Sequence, residues 1–289
     1  MRQEVEAFLG YISIEGGRSP NTVAAYRNDL YQLVDFARRR SGKQDPSLKL
    51  VKEDHYFLSS YALDLRERGY TAATRARKLS AVKSWFKFLI AKGVIKGFPR
   101  EDLASPKVNK AMPHLLSPAQ IQAVLKQPEQ YPTPEGKRDK AMLELLYSTG
   151  MQAAELLSLN VKDVNLTDHY VHCPGKGSKE RIIPIYGEAV QSLRKYLAEG
   201  RPQLALYNRG EALFLNRFGK RLSRQGLWQI LKGHAKAANL TAEVTPRTIR
   251  HSFAARLISE GADLPTVQQR LGHVSLATTQ AYSRFINKR

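Results

Sequence analysis

One stretch of this chain carries a convincing β signal, and that scarcity confines the fold to a mainly helical class. Tyr170–Cys173 and residues 181–185 are short β-rich runs around the turn P-G-K-G-S-K-E, the pattern of a hairpin. Residues 212–215 could add a third strand. Elsewhere apolar side chains recur at helical spacing. Ser19-Pro20 reads as an N-cap with proline in the first turn. Val23, Tyr26, Leu30, Leu33 and Ala37 follow before Arg38-Arg39-Arg40 ends the run. Further helices are expected over about 52–67 and 71–92. Beyond a second cap-and-proline start at Ser117-Pro118, more are expected over 136–148, from about 152, and over 188–199, 223–238, 246–260 and 264–271.

With 289 residues, two domains are the better prior. The stretch 105–117, S-P-K-V-N-K-A-M-P-H-L-L-S, has two prolines and no periodicity. The expected division is therefore an N-terminal helical domain (1–106), a linker (107–116) and a mixed α+β second domain with a small antiparallel sheet (117–289).

Charge points to the partner. Lys and Arg number 46 against 26 Asp and Glu, a net charge of +20. The excess runs through both parts: 20 basic and 12 acidic residues up to position 108, 26 and 14 beyond it. A large anionic partner that touches both is expected. The predicted helix 71–92 sharpens this. Leu79, Val82, Phe86 and Leu89 form one face, and Arg77, Ser80, Ser84 and Lys87 the opposite one. From position 66 to 100 there are ten basic residues and one acid, more one-signed than a merely solvated surface needs. Arg77, Ser84 and Lys87 are thus candidate contacts to a phosphate-bearing partner, DNA among the possibilities. So are Ser223, Arg224 and Gln225, at a helix start that can meet phosphate or the major groove.

The lone Cys173 excludes an internal disulfide and favours a reducing compartment. The N-terminal residues lack the apolar core of a signal peptide, and no apolar run approaches the ~20 residues of a membrane span. The expected place is the cytoplasm.

Lys176, Arg247, Arg250, His251, His273 and Tyr282 stand out as chemistry-bearing groups. Singly each fits a bland role: a turn lysine, a helix-end histidine, a packing tyrosine, an arginine pair in a surface salt bridge. Their neighbours change the reading. S-P-N-T-V-A-A-Y lies near the start, Y-S-T-G-M-Q-A-A-E-L-L-S-L at 147–159, and G-K-G-S-K-E-R-I-I-P-I at 175–185. T-P-R-T-I-R-H-S-F-A follows at 245–254 and L-G-H-V-S-L-A-T-T-Q-A-Y at 271–282. Together these resemble the tyrosine recombinase (phage integrase) family, and within it the Xer branch, over nearly the whole chain.

The resemblance implies a SAM-like core-binding domain and a catalytic domain closing as a C-shaped clamp on double-stranded DNA. Two copies would occupy each site, and four would form the synapse. Tyr282 would attack the scissile phosphate to give a 3′-phosphotyrosyl link and a free 5′-hydroxyl, with neither metal nor ATP. Arg250 matches the second catalytic arginine, His273 the phosphate-binding histidine, and Lys176 the general acid for the leaving oxygen. The residue types suit the chemistry, because a phenol needs help to lose its proton and a phosphorane-like transition state gathers negative charge. Two positions depart from the family. Gln152 stands where the first catalytic arginine belongs, and Arg247 replaces the usual histidine before the second. Slow cleavage with intact DNA binding is the expectation. A catalytically silent DNA-binding relative is the first rival and a basic RNA-binding helical protein the second.

Overall fold

In a computed structural model, the described residues are all but 55, 98–105, 107–113, 174–179, 207–209, 274–278, 281 and 283–289. They form two compact units, Met1–Ala111 and Met112–Arg289.

The first unit is built from α1 (Arg2–Ile14), α2 (Pro20–Ser41), α3 (Leu48–Glu53), α4 (Phe57–Glu67) and α5 (Ala72–Ala91). The Ser19 hydroxyl accepts from Thr22 N–H and starts α2; Gly42, at φ +69°, ends it. The single helix expected over 52–67 is two helices. Asp54 breaks it: one carboxylate oxygen caps the Tyr56 amide at 3.0 Å and the other accepts from Arg40 Nε at 2.5 Å. Phe8, Leu33, Phe36, Tyr61 and Trp85 are among the core residues.

Leu79, Val82, Phe86 and Leu89 of α5 face that core, while Arg77, Ser80 and Lys87 are exposed and Ser84 is half-buried. Lys78 is buried as well, at 2% exposure. Its ammonium donates to Asp29 Oδ1 at 3.0 Å and to Gln32 Oε1 at 2.9 Å, beneath the Tyr70 ring. Arg77 also donates to Asp29. Removing one partner of a buried pair strands the other charge, so Asp29→Ala is expected to cost about 3–5 kcal/mol in chemical denaturation. Adding Lys78→Met to it is expected to restore most of that loss.

The second unit contains α6 (Pro118–Lys126), α7 (Pro134–Thr149), α8 (Ala153–Ser158), α9 (Glu188–Lys195), α10 (Arg201–Leu204), α11 (Arg224–Ala237), α12 (Pro246–Ser259) and α13 (Leu264–Leu271). Its sheet has the order β1 (Val164–Asn165), β2 (Tyr170–Cys173), β3 (Arg181–Pro184), all antiparallel. Helix α7 runs through the core, with Ala141, Met142, Leu143, Leu145 and Leu146 all inaccessible.

The third strand is therefore 164–165 and not 212–215. Ala212 makes one isolated bridge to Asn160, and Leu215 one to Arg221. The Asn216 side chain caps the amides of Phe218 and Lys220, turning the chain back before a ladder can extend. The helix expected over 188–199 stays α-helical to Lys195 and then loosens into a π turn at Tyr196–Gly200. Among the described residues no helix is long and apolar enough to cross a membrane.

Candidate active site

Thr245 and Pro246 start α12: the threonine hydroxyl accepts from Thr248 N–H at 3.0 Å. From that start, Arg250 falls on the buried side of the helix, with 7% of its surface exposed. Its Nη1 donates to Gly150 O at 2.7 Å and its Nη2 to Leu271 O at 2.8 Å. Both carbonyls lie at helix C-termini, where the backbone dipole favours a cation. Gly150 ends α7 at φ +60°, and a Cβ there would stand 2.2 Å from the Phe253 ring. Only glycine delivers that carbonyl to the guanidinium. Desolvation lowers the Arg250 pKa, and the Glu155 carboxylate is the first of the groups that oppose it.

Tyr282 joins the same cluster. Its residue surface is 2% exposed, and its ring lies parallel to His273, 6.3 Å between centroids. Its hydroxyl is 2.5 Å from His251 Nδ1. Burial raises the phenol pKa, while Arg250 first and Arg247 second pull it down. His273 is fixed by Thr279, Nδ1 to Oγ1 at 2.9 Å, and by the Gln268 side chain on its carbonyl. Burial, then Arg250 and Arg181, lowers its pKa to about 4, so its ring is neutral at neutral pH.

Arg247 lies on the exposed side of α12, one turn before His251, and its Nε donates to His251 Nε2 at 3.0 Å. Gln152 is half-buried and precedes α8, two residues past the carbonyl that Arg250 holds. Its backbone N–H donates to Glu155 Oε2 at 2.6 Å. The Glu155 carboxylate also takes both terminal nitrogens of Arg181, at 2.7 and 3.0 Å. The Arg181 guanidinium packs so closely under Gly272 that a Cβ there would lie 2.5 Å from it.

Arg250, His273, Tyr282 and Arg247 are thus drawn together from positions scattered over the last third of the unit's helices and its tail. Lys176 lies outside the described residues. Arg77, Ser84 and Lys87 sit on α5 of the first unit. Arg77 spends a donor on Asp29 and keeps 47% of its side chain exposed. Ser223 caps α11, accepting from Gly226 N–H at 3.0 Å, which leaves Arg224 and Gln225 as its exposed first-turn side chains.

Three participants received no role from the sequence: His251, which stood out only as a chemistry-bearing group, Glu155 and Arg181. The first had a legible signal, since it stands four residues from Arg247 and so on the same helical face. For the other two the Q-A-A-E spacing of a capping box was visible, but their pairing across 26 positions was not.

Residues 114–288 match the family described as "Phage integrase family", and residues 5–93 match "Phage integrase, N-terminal SAM-like domain". A tyrosine recombinase XerC of Herpetosiphon aurantiacus is 45% identical over 290 residues, covering 100% of this chain and 92% of that protein. A tyrosine recombinase XerD of Oceanobacillus iheyensis is 38% identical, covering 99% and 94%. Among solved structures, XerH site-specific recombinase bound to a palindromic difH substrate aligns with TM-score 0.73 and 23% identity, over 99% of this chain and 92% of that one.

Proposed function

This chain belongs to the phage integrase family of tyrosine recombinases, and on that premise we propose that it cuts and rejoins duplex DNA at specific sites through Tyr282. The observation that carries the reading is a buried Tyr282 within the electrostatic reach of buried Arg250, whose guanidinium hydrogen-bonds to neutral carbonyls. Its charge is therefore available to an incoming phosphate.

Tyr282 attacks phosphorus, the bond to the 5′-oxygen breaks, and a 3′-phosphotyrosyl link stores the bond energy for rejoining. Arg250 offers a planar, permanently charged fork to the non-bridging oxygens as negative charge grows there. Neutral His273 donates a hydrogen bond to the same oxygens, and Arg247 adds a cation from the exposed side. Lys176 is the general acid on the strength of the family resemblance. Gln152 supplies a donor without charge, which favours a second reading: a protein that occupies its sites and turns over slowly or not at all.

DNA is the partner, as in the difH complex of XerH. The net charge of +20 suits it, and Arg77, Ser84, Lys87, Ser223, Arg224 and Gln225 are the contacts we assign. Two copies on one site would match a palindromic target of the kind bound by XerH, and pairing of two such sites gives a tetramer. Chromosomal DNA in the cytoplasm is the setting that fits.

Nicked duplexes carrying candidate sites from the host chromosome test this, with chelator present and ATP absent. A detergent-stable protein–DNA adduct is expected, together with binding that weakens by a log–log salt slope of roughly −0.9 per neutralised phosphate. Steep binding without adduct selects the silent relative. Neither adduct nor steep binding overturns both readings.

A further inference from the structure

A nucleophilic phenol has to lose its proton, and the family's usual histidine position holds Arg247 here, a group with a pKa above ~12 that donates and does not accept. Among the described residues, a base sits on the Tyr282 oxygen one helical turn further along. His251 Nδ1 lies 2.5 Å from it, and the two rings are 5.4 Å apart. We propose that His251 is the proton acceptor for Tyr282, and that Arg247 locks it in the wrong tautomer until a DNA phosphate draws the guanidinium away.

The lock follows from donor and acceptor inventories. A guanidinium nitrogen can only donate, so the 3.0 Å contact from Arg247 Nε makes His251 Nε2 the acceptor. The ring is neutral: burial, with Arg247, Arg250 and His273 facing it, brings its pKa to about 4. A neutral imidazole carries one proton, which must then sit on Nδ1 and point at the Tyr282 oxygen. In that state His251 stabilises the phenol oxygen and cannot take its proton.

Arg247 is exposed on α12 and is an available cation for an arriving phosphate. Once it turns to the phosphate, Nε2 is released and the ring proton can reside there. The Nδ1 lone pair then faces the hydroxyl. In the step itself the phenolic O–H bond breaks and its proton passes to Nδ1. The Oη–P bond forms, the P–O5′ bond breaks, and the leaving oxygen is protonated by the general acid. No oxidant or further reactant is needed. Binding of the right anion thereby arms the nucleophile, which protects the resting protein from adventitious attack.

This inference rests on Tyr282 being the nucleophile, and the experiment separates the two. Single-turnover adduct formation is measured on a nicked duplex whose scissile 5′-oxygen is replaced by sulfur, a leaving atom that needs no general acid. His251→Gln is expected to slow the reaction about 10²–10⁴-fold with duplex binding retained. For His251→Gly, added imidazole is expected to restore the rate, more so for imidazoles of higher pKa, a response a packing role would not give. In a Tyr282→Phe protein, nitrogen-15 spectra of His251 are expected to show the ring proton moving from Nδ1 to Nε2 when duplex is added. If the parent protein forms no adduct at all, the nucleophile assignment fails. If the parent reacts, an undiminished His251→Gln rate or the absence of imidazole rescue overturns the base, and an unchanged tautomer overturns the lock.

Discussion

Tyr282→Phe is expected to abolish the covalent DNA adduct while leaving the protein folded and bound to duplex. The two halves of that result come from different parts of one side chain. The ring is part of the catalytic unit's core and lies beside His273, and phenylalanine keeps that packing. The hydroxyl is the atom that would become bonded to phosphorus, and phenylalanine offers no nucleophile in its place. Its loss also removes the hydrogen bond with His251, worth about 1 kcal/mol in stability. Thermal denaturation should therefore move little, salt-dependent binding should stay as steep, and the detergent-stable band should disappear. An adduct that persists in the phenylalanine protein rules out this nucleophile.

The second large effect runs in the opposite direction. Gln152→Arg is expected to speed adduct formation by about 10²–10³, with a much smaller gain in duplex affinity. The position follows the Gly150 carbonyl that Arg250 holds, so a guanidinium placed there starts beside the same phosphate site. The contact that starts α8 uses the backbone N–H of residue 152 and the carboxylate of Glu155, neither of which depends on the glutamine side chain. That carboxylate, already shared with Arg181, would also help to orient a second fork. The gain is confined to the rate because the added charge matters most when the phosphorane carries most charge. An unchanged rate would show that residue 152 does not act on the transition state, and would remove the reason for expecting a slow enzyme.

What could be read in advance divides along the range of the interactions involved. Helix starts at Ser19-Pro20 and Ser117-Pro118 were legible because a cap is a contact over three residues. The hairpin of β2 and β3 was legible because its turn chemistry is local. Residues 212–215 misled because an apolar run looks the same in a strand as in a buried loop, and the Asn216 turn settles which it becomes. Lys78 sits in a basic run that reads as a phosphate-binding face, yet Asp29, 49 positions away, takes it into the core. In the site, Arg250, His273 and Tyr282 carried their identity in neighbouring motifs. His251 did not, since its meaning depends on a ring 31 positions downstream meeting its Nδ1.

The grip on Arg250 has a mechanical consequence. Leu271, which supplies one of its two carbonyls, is followed at once by the segment leading to Tyr282. Within that segment the Tyr282 amide holds Thr279, Thr279 holds the His273 ring, and His273 N–H holds Gln268. The phosphate anchor and the attacking group thus share a tether. A displacement of Tyr282 would travel back along these hydrogen bonds to Leu271 and loosen the grip on Arg250.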